Sequence, residues 1–223
     1  MAKKKVFLEW LQIVGGLAVF AFGVHLTIRA NIGLAPWDCL GMDIAKHTPL
    51  NYGLAMTLMS LIILGIDLLL RERIGFGTVI DALLTGNLVQ AYNTWDPLPE
   101  AENLWLGILV MLLGFVFMAV GMWIYMRAAQ CCGPRDSLLV GIGKRMKKVP
   151  IGIVQILILA VVLLAGWLLG GPVGIGTLLG TFGTGLVMQG VYAVLRFEPR
   201  SVRHRSVREV ALELIGKKGQ TEG

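Results

Sequence analysis

The feature that most constrains this chain is a succession of apolar windows of about 20 residues, the length that carries an α-helix across the hydrocarbon core of a bilayer. Six are read along it, at 6–28, 50–70, 77–94, 104–126, 150–170 and 176–195. The third is the most polar, with Asp81, Asn87 and Gln90, and the sixth is rich in Gly and Thr but holds no ionised side chain. Composition agrees. Hydrophobic residues make up 56% and charged residues 15%, against about a quarter charged in a soluble domain. A soluble chain of 223 residues cannot hide that much apolar side chain in one core. An ordinary soluble globule and a disordered chain are excluded.

The charges that remain are sorted by position. With the N-terminus in the cytoplasm and six spans threaded, 18 of the 20 basic residues fall on the inner side, and only Arg29 and Lys46 fall outside. The outer loop 93–103 holds Asp96, Glu100 and Glu102. This is the positive-inside pattern, so the net charge of +6 labels orientation and gives no support for nucleic-acid binding. The start, Met1-Ala-Lys-Lys-Lys5, resembles a signal peptide. Its apolar run is too long, however, and carries Glu9, so the first segment is expected to be a structural span. Three cysteines, two of them the adjacent Cys131 and Cys132, form no disulfide framework, and no spacing suggests a metal. No cofactor is expected.

The chain also repeats itself. A shift of 98 residues aligns Gly16 with Gly114, Gly23 with Gly121, Arg29-Ala30 with Arg127-Ala128, Pro36 with Pro134 and Asp38 with Asp136. A shift of 99 then pairs Gly53 with Gly152, Gly75-Phe-Gly-Thr78 with Gly174-Ile-Gly-Thr177, Thr85-Gly86 with Thr184-Gly185, and Gln90 with Gln189. Each copy holds three windows. Three being odd, the second copy must enter the membrane upside down. The loops agree: 29–49 is nearly neutral, whereas its duplicate 127–149 carries six basic residues. The expectation is an all-α polytopic membrane protein, two inverted three-helix repeats at 1–98 and 99–196, followed by a basic cytoplasmic tail at 197–223. In that tail Ser206-Val-Arg-Glu209 reads as a capping box for a short amphipathic helix.

Each copy is expected to add a short helix after its first span. Ala35-Pro36-Trp37-Asp38 and Gly133-Pro134-Arg135-Asp136 place proline at the first helical position and an acid at the positive helix end. These helices are too short to span, so they are either re-entrant or interfacial. Asp38 and Asp136 are either plain capping acids or part of a solute site. Arg29 and Arg127 each precede their acid by nine residues, which suggests an Arg29–Asp38 and an Arg127–Asp136 ion pair, structural or gating. The Gly-x-Gly-Thr turns read as tight reversals capped by Thr. Thr85, Gln90, Thr184 and Gln189 recur at matched depth and are expected inside the bundle, as helix-to-helix hydrogen bonds or as a cavity lining. Asp81 has no duplicate and is the one acid proposed for proton coupling. Asp67, four residues before Arg71, is expected to pair with it. His25 reads as a packing or interfacial histidine rather than a catalytic one.

The string Gly33-Leu-Ala-Pro-Trp-Asp38 after Arg29, with Ile74-Gly-Phe-Gly-Thr78, resembles the YczE/YyaS/YitT group of bacterial integral membrane proteins, nearest its YczE-like branch. The resemblance covers nearly all of the chain except the tail. The second copy departs from the motif at Arg135, where the first has Trp37. What the resemblance implies is a bacterial inner-membrane protein, often treated as a candidate transporter, with no catalytic residues to carry over. The function expected is movement of a small solute by alternating rearrangement of the two repeats around a central site. The alternative is a non-transporting scaffold or assembly factor that binds a protein or lipid, and self-association as a homodimer is left open. No Ser/His/Asp set or metal motif supports an enzyme.

Overall fold

The computed structural model describes residues 2–72, 74–95, 98–128, 133–146, 148–149 and 151–197, with the backbone alone at 2–6, 76 and 151. The expected tail helix lies outside the described residues. Within them the chain is helical: α1 (Ala2–Arg29), α2 (Pro36–His47), α3 (Tyr52–Leu69), α4 (Phe76–Trp95), α5 (Leu104–Met126), α6 (Pro134–Arg145), α7 (Ile151–Leu168) and α8 (Ile175–Val194). In α8 a π-helical stretch, Leu179–Gly183, separates α-helical ends. Four helical segments, Phe7–Arg29, Tyr52–Leu69, Leu104–Met126 and Ile175–Val194, are long and apolar enough to cross a membrane. The apolar part of α7, Gly152–Leu168, is shorter. α4 is diluted by Asp81, Asn87, Gln90 and Asn93, and it packs against both α1 and α3 as an inner helix.

The two short helices begin where the proline and acid require. Both are 12 residues long with proline in the first turn, and their N-terminal acids are Asp38 and Asp136. Asn51 and Asn103 cap α3 and α5 by accepting from the N–H of Leu54 and Leu106, each at 2.9 Å, satisfying donors that a helix start leaves open. In the second Gly-x-Gly-Thr turn the Gly174 N–H donates to Thr177 Oγ1 at 3.1 Å, the expected cap.

The centre of the molecule is the crossing of α1 and α5. A Cβ built on Gly16 would lie 2.9 Å from the Gly121 carbonyl oxygen, and one on Gly23 would lie 2.6 Å from that of Gly114. Because Gly16 duplicates Gly114 and Gly23 duplicates Gly121, these two contacts are one contact made twice. Residue numbers rise along α1 as they fall along α5, so the helices run antiparallel. Small residues let the backbones approach closely, which is how helices associate where no hydrophobic force separates protein from lipid. Ile13 and Leu17 pack with Tyr125 and Ala128 at one end of this crossing, and Ala30 with Met111 and Phe115 at the other. Across the copies, α2 packs on α7 and α6 on α3.

Asp67 is placed otherwise than expected. α3 ends at Leu69 and Arg71 turns into the left-handed region with φ 54°, so the helical spacing that would bring Arg71 to Asp67 is broken. Asp67 is buried, and neither of its carboxylate oxygens has a hydrogen-bond partner among the described residues. His25 is buried beside Phe22 and Tyr92, with Nδ1 2.7 Å from Asn93 Oδ1.

Candidate functional site

α2 and α6, one from each copy, place equivalent residues against each other. The Arg135 guanidinium stacks over the Trp37 ring at 5.1 Å from its centroid, and these two residues occupy duplicate positions at which the copies differ. Arg135 Nη2 also lies 3.9 Å from Met56 Sδ. A guanidinium is weakly hydrated and stacks readily on an aromatic face, so Arg fits a half-buried position that Lys would not.

Around Arg135 stand three carboxylates in electrostatic range of it: Asp38, Asp81 and Asp136. Asp38 is buried and accepts a hydrogen bond from Tyr52 Oη at 3.1 Å. Asp81 accepts from Thr85 Oγ1 one helical turn on. The carboxylates of Asp81 and Asp136 converge on the start of α6: a Cβ on Gly133 would lie 3.2 Å from Asp81 Oδ2 and 3.6 Å from Asp136 Oδ2. That is the positive end of a helix, where carboxylates are favoured. Tyr192 of α8 is in electrostatic range of Asp136, and its hydroxyl is buried without a hydrogen-bond partner among the described residues. The cluster therefore draws on α2, α3, α4, α6 and α8, which belong to both copies.

Polar side chains continue beyond the cluster. Tyr52 also lines a recess of about 450 Å³ with Arg29, Lys46, Gln90, Asn93 and Glu100. A second recess of about 320 Å³ lies between Gln12, Trp123, Ile124 and Arg127.

The site residues expected from sequence divide accordingly. Asp38, Asp81, Thr85 and Asp136 meet at the cluster. Gln90 lines the outer recess, and its Oε1 accepts from the Gly53 N–H at 3.4 Å while its Nε2 donates to Thr94. Thr184 turns back on its own helix and donates to the Gly180 carbonyl at 2.8 Å, and Gln189 is exposed. The two expected Arg–Asp pairs are not formed. Arg29 reaches Glu100 at 3.4 Å instead, since the turn at Asn31 and Gly33, both at positive φ, carries α2 away from it. Arg127 stacks on Trp123 at 5.0 Å. Asp38 and Asp136 instead both lie in electrostatic range of Arg135, which α6 sets over Trp37 of α2.

Arg135, Trp37 and Tyr52 were not among the expected site residues. The signal for the first two was the mismatch itself, a cation in the second copy opposite an aromatic in the first. Tyr52 carried no pattern, because its duplicate is Ile151. Asp43, also buried, lies against the backbone of Gly171, with Cys39 Sγ 3.8 Å from its Oδ2.

No solved structure matches the chain. Among curated proteins it is similar to the uncharacterised membrane protein YczE of Bacillus subtilis (strain 168), at 31% identity over 84% of this chain and 86% of that one. It is 30% identical to an uncharacterised protein of Haemophilus influenzae (strain ATCC 51907 / DSM 11121 / KW20 / Rd) over 78% of each chain. It is also 28% identical to the uncharacterised protein YyaS of Bacillus subtilis (strain 168), over 74% of this chain and 82% of the relative. Residues 7–192 match a family of unknown function, DUF6198. The chain belongs to that family, and its apolar helices make it a multi-pass membrane protein of the YczE-like kind.

Proposed function

We propose that the protein moves a small solute across the bacterial inner membrane, with six spans arranged as two inverted copies that rearrange around the Arg135 cluster. The observation that carries this reading is the cluster itself. One guanidinium and three carboxyl groups, contributed by both copies, stand together among helices whose buried side chains are mostly apolar. Ionisable groups at membrane depth are costly and mark solute or ion pathways by default. In transporters built from inverted repeats, the site lies where the copies meet and is framed by short or broken helices. α2, α6 and the π segment of α8 fit that description. The antiparallel α1–α5 crossing supports the inversion, and the basic inner loops support cytoplasmic termini.

The charge of the site narrows the solute. Three carboxyl groups face one guanidinium, so the site has more acids than its own cation can neutralise, and Trp37 and Tyr52 supply aromatic faces. A cation, an amine above all, fits this better than an anion. Asp81, whose hydrogen bond among the described residues comes from the neutral Thr85 hydroxyl, is the acid for coupling a proton. Purified protein screened by thermal denaturation should be stabilised by members of an amine and inorganic cation panel, and Asp81→Asn should abolish the shift while leaving the unliganded Tm within a few degrees. A panel of cations, anions, amino acids and vitamins that produces no shift would refute transport and favour the scaffold reading.

A further inference from the structure

In the first copy α3 and α4 are packed closely. A Cβ on Gly53 would lie 2.8 Å from Gln90 Cβ and 3.0 Å from the Gly86 carbonyl oxygen, and one on Gly86 would lie 2.8 Å from the Gly53 carbonyl oxygen. Asn87 Nδ2 donates to Thr57 Oγ1 at 3.2 Å across the same interface. The duplicates in the second copy make none of these contacts. Gly152 and Gly185 have nothing within 4 Å of a built Cβ, and Gln189 is exposed. Among the described residues α7 and α8 share no packed interface, α7 lying on α2 and α6 while α8 lies on α5.

Glycine in a helix interior costs about 1 kcal/mol relative to alanine, and nothing around Gly152 or Gly185 here requires it. Three other helical glycines, Gly15, Gly65 and Gly190, are as open, but their counterparts are Leu113, Leu164 and Ala91. Gly152 and Gly185 alone among these are duplicates of a glycine pair that is packed together elsewhere in the same chain.

We infer that this arrangement is one of two, and that in the other α7 and α8 close through Gly152 and Gly185 as α3 and α4 close here through Gly53 and Gly86. Equivalent sequences that hold different packings in the two copies are what an inverted-repeat protein shows in one end state, with the copies exchanging packings in the other. In the positive-inside orientation the closed Gly53–Gly86 contact lies toward the outside and the open Gly152–Gly185 gap toward the cytoplasm. The structure is thus the inward-open state. The inference rests on the two-copy part of the proposed function and needs no solute.

The counterparts of Thr57 and Asn87 are Ile156 and Leu186, which are 51% and 70% exposed here and come within cross-linking range when the gap closes. The test uses a chain freed of its native cysteines, reconstituted in vesicles and carrying a protease site in the 169–173 loop. A short thiol cross-linker is applied to the Ile156→Cys/Leu186→Cys chain, with Thr57→Cys/Asn87→Cys as the packed reference. The expected result is an intramolecular cross-link in both, and a loss of at least fivefold in the first when Gly185→Leu fills the notch. That leucine should not lower the Tm, because it meets open space here and replaces a glycine within a helix. A reference pair that cross-links while the Ile156/Leu186 pair does not would overturn the inference. So would a link only between chains, which would place a second copy in the gap, or a link indifferent to Gly185→Leu. Because the cross-link is read without solute, an empty ligand screen leaves this result standing.

Discussion

Gly121 and Gly15 sit on surfaces that make opposite demands. A Cβ on Gly121 would lie 2.4 Å from the Phe20 nitrogen and 2.7 Å from the Gly16 carbonyl oxygen, both backbone atoms that cannot swing aside. Gly121→Ala should therefore destabilise the fold by about 1–3 kcal/mol, the usual cost of overpacking. Gly15→Ala meets nothing and should stabilise by about 0.5–1 kcal/mol through helix propensity. Thermal or chemical denaturation in detergent reads both signs. The stacked pair is open to a double-mutant cycle: Trp37→Leu and Arg135→Met should couple by about 0.5–2 kcal/mol, the range for a partly desolvated cation on an aromatic ring. Additive effects would remove the stack from the account. The sequence marked these positions unevenly. Glycines recurred at duplicate positions, yet which glycine met which depended on α1 and α5 running antiparallel. Arg135 gave only a mismatch with Trp37, and its meaning emerged when α2 and α6 came face to face.

Elements were legible where hydrophobic period and helix-start chemistry agreed. The prolines at 36 and 134 placed both short helices, and the six apolar windows fall on the six longer helices to within a few residues. What could not be read was tertiary pairing. An Arg nine residues before an Asp suggested a bond within each copy, but the positive-φ turn at Asn31 and Gly33 sends the first chain elsewhere, and Asp38 is held by α3 and α6. Tyr52 fastens α2 to α3 through that acid, so Tyr52→Phe should cost about 1–3 kcal/mol by leaving the buried carboxylate short of a donor. Loss of α2 docking would also expose Cys39, which α2 buries against Gly166 and Gly171. Faster thiol labelling of Cys39 in Tyr52→Phe than in the parent is the expected readout, and unchanged labelling would mean that Asp38 does not depend on this bond.

At the scale of the whole molecule, the proposed function asks two properties of one repeated sequence. The copies must be similar enough to share the α1–α5 crossing, and different enough to stand, as proposed, in opposite orientations and in different packings. The charges supply the first difference and the α3–α4 and α7–α8 pairs the second. Lys46 and Lys144 occupy duplicate positions at the ends of α2 and α6, and both side chains are exposed. The proposed inversion would put them on opposite sides of the membrane. The most direct measurement is therefore labelling by a membrane-impermeant maleimide, in intact cells, of Lys46→Cys and Lys144→Cys in a chain freed of its native cysteines. The account predicts that the first is labelled from outside and the second only after the cells are permeabilised. Labelling of both from the same side would contradict the inversion, and with it every mechanism built on two opposed copies.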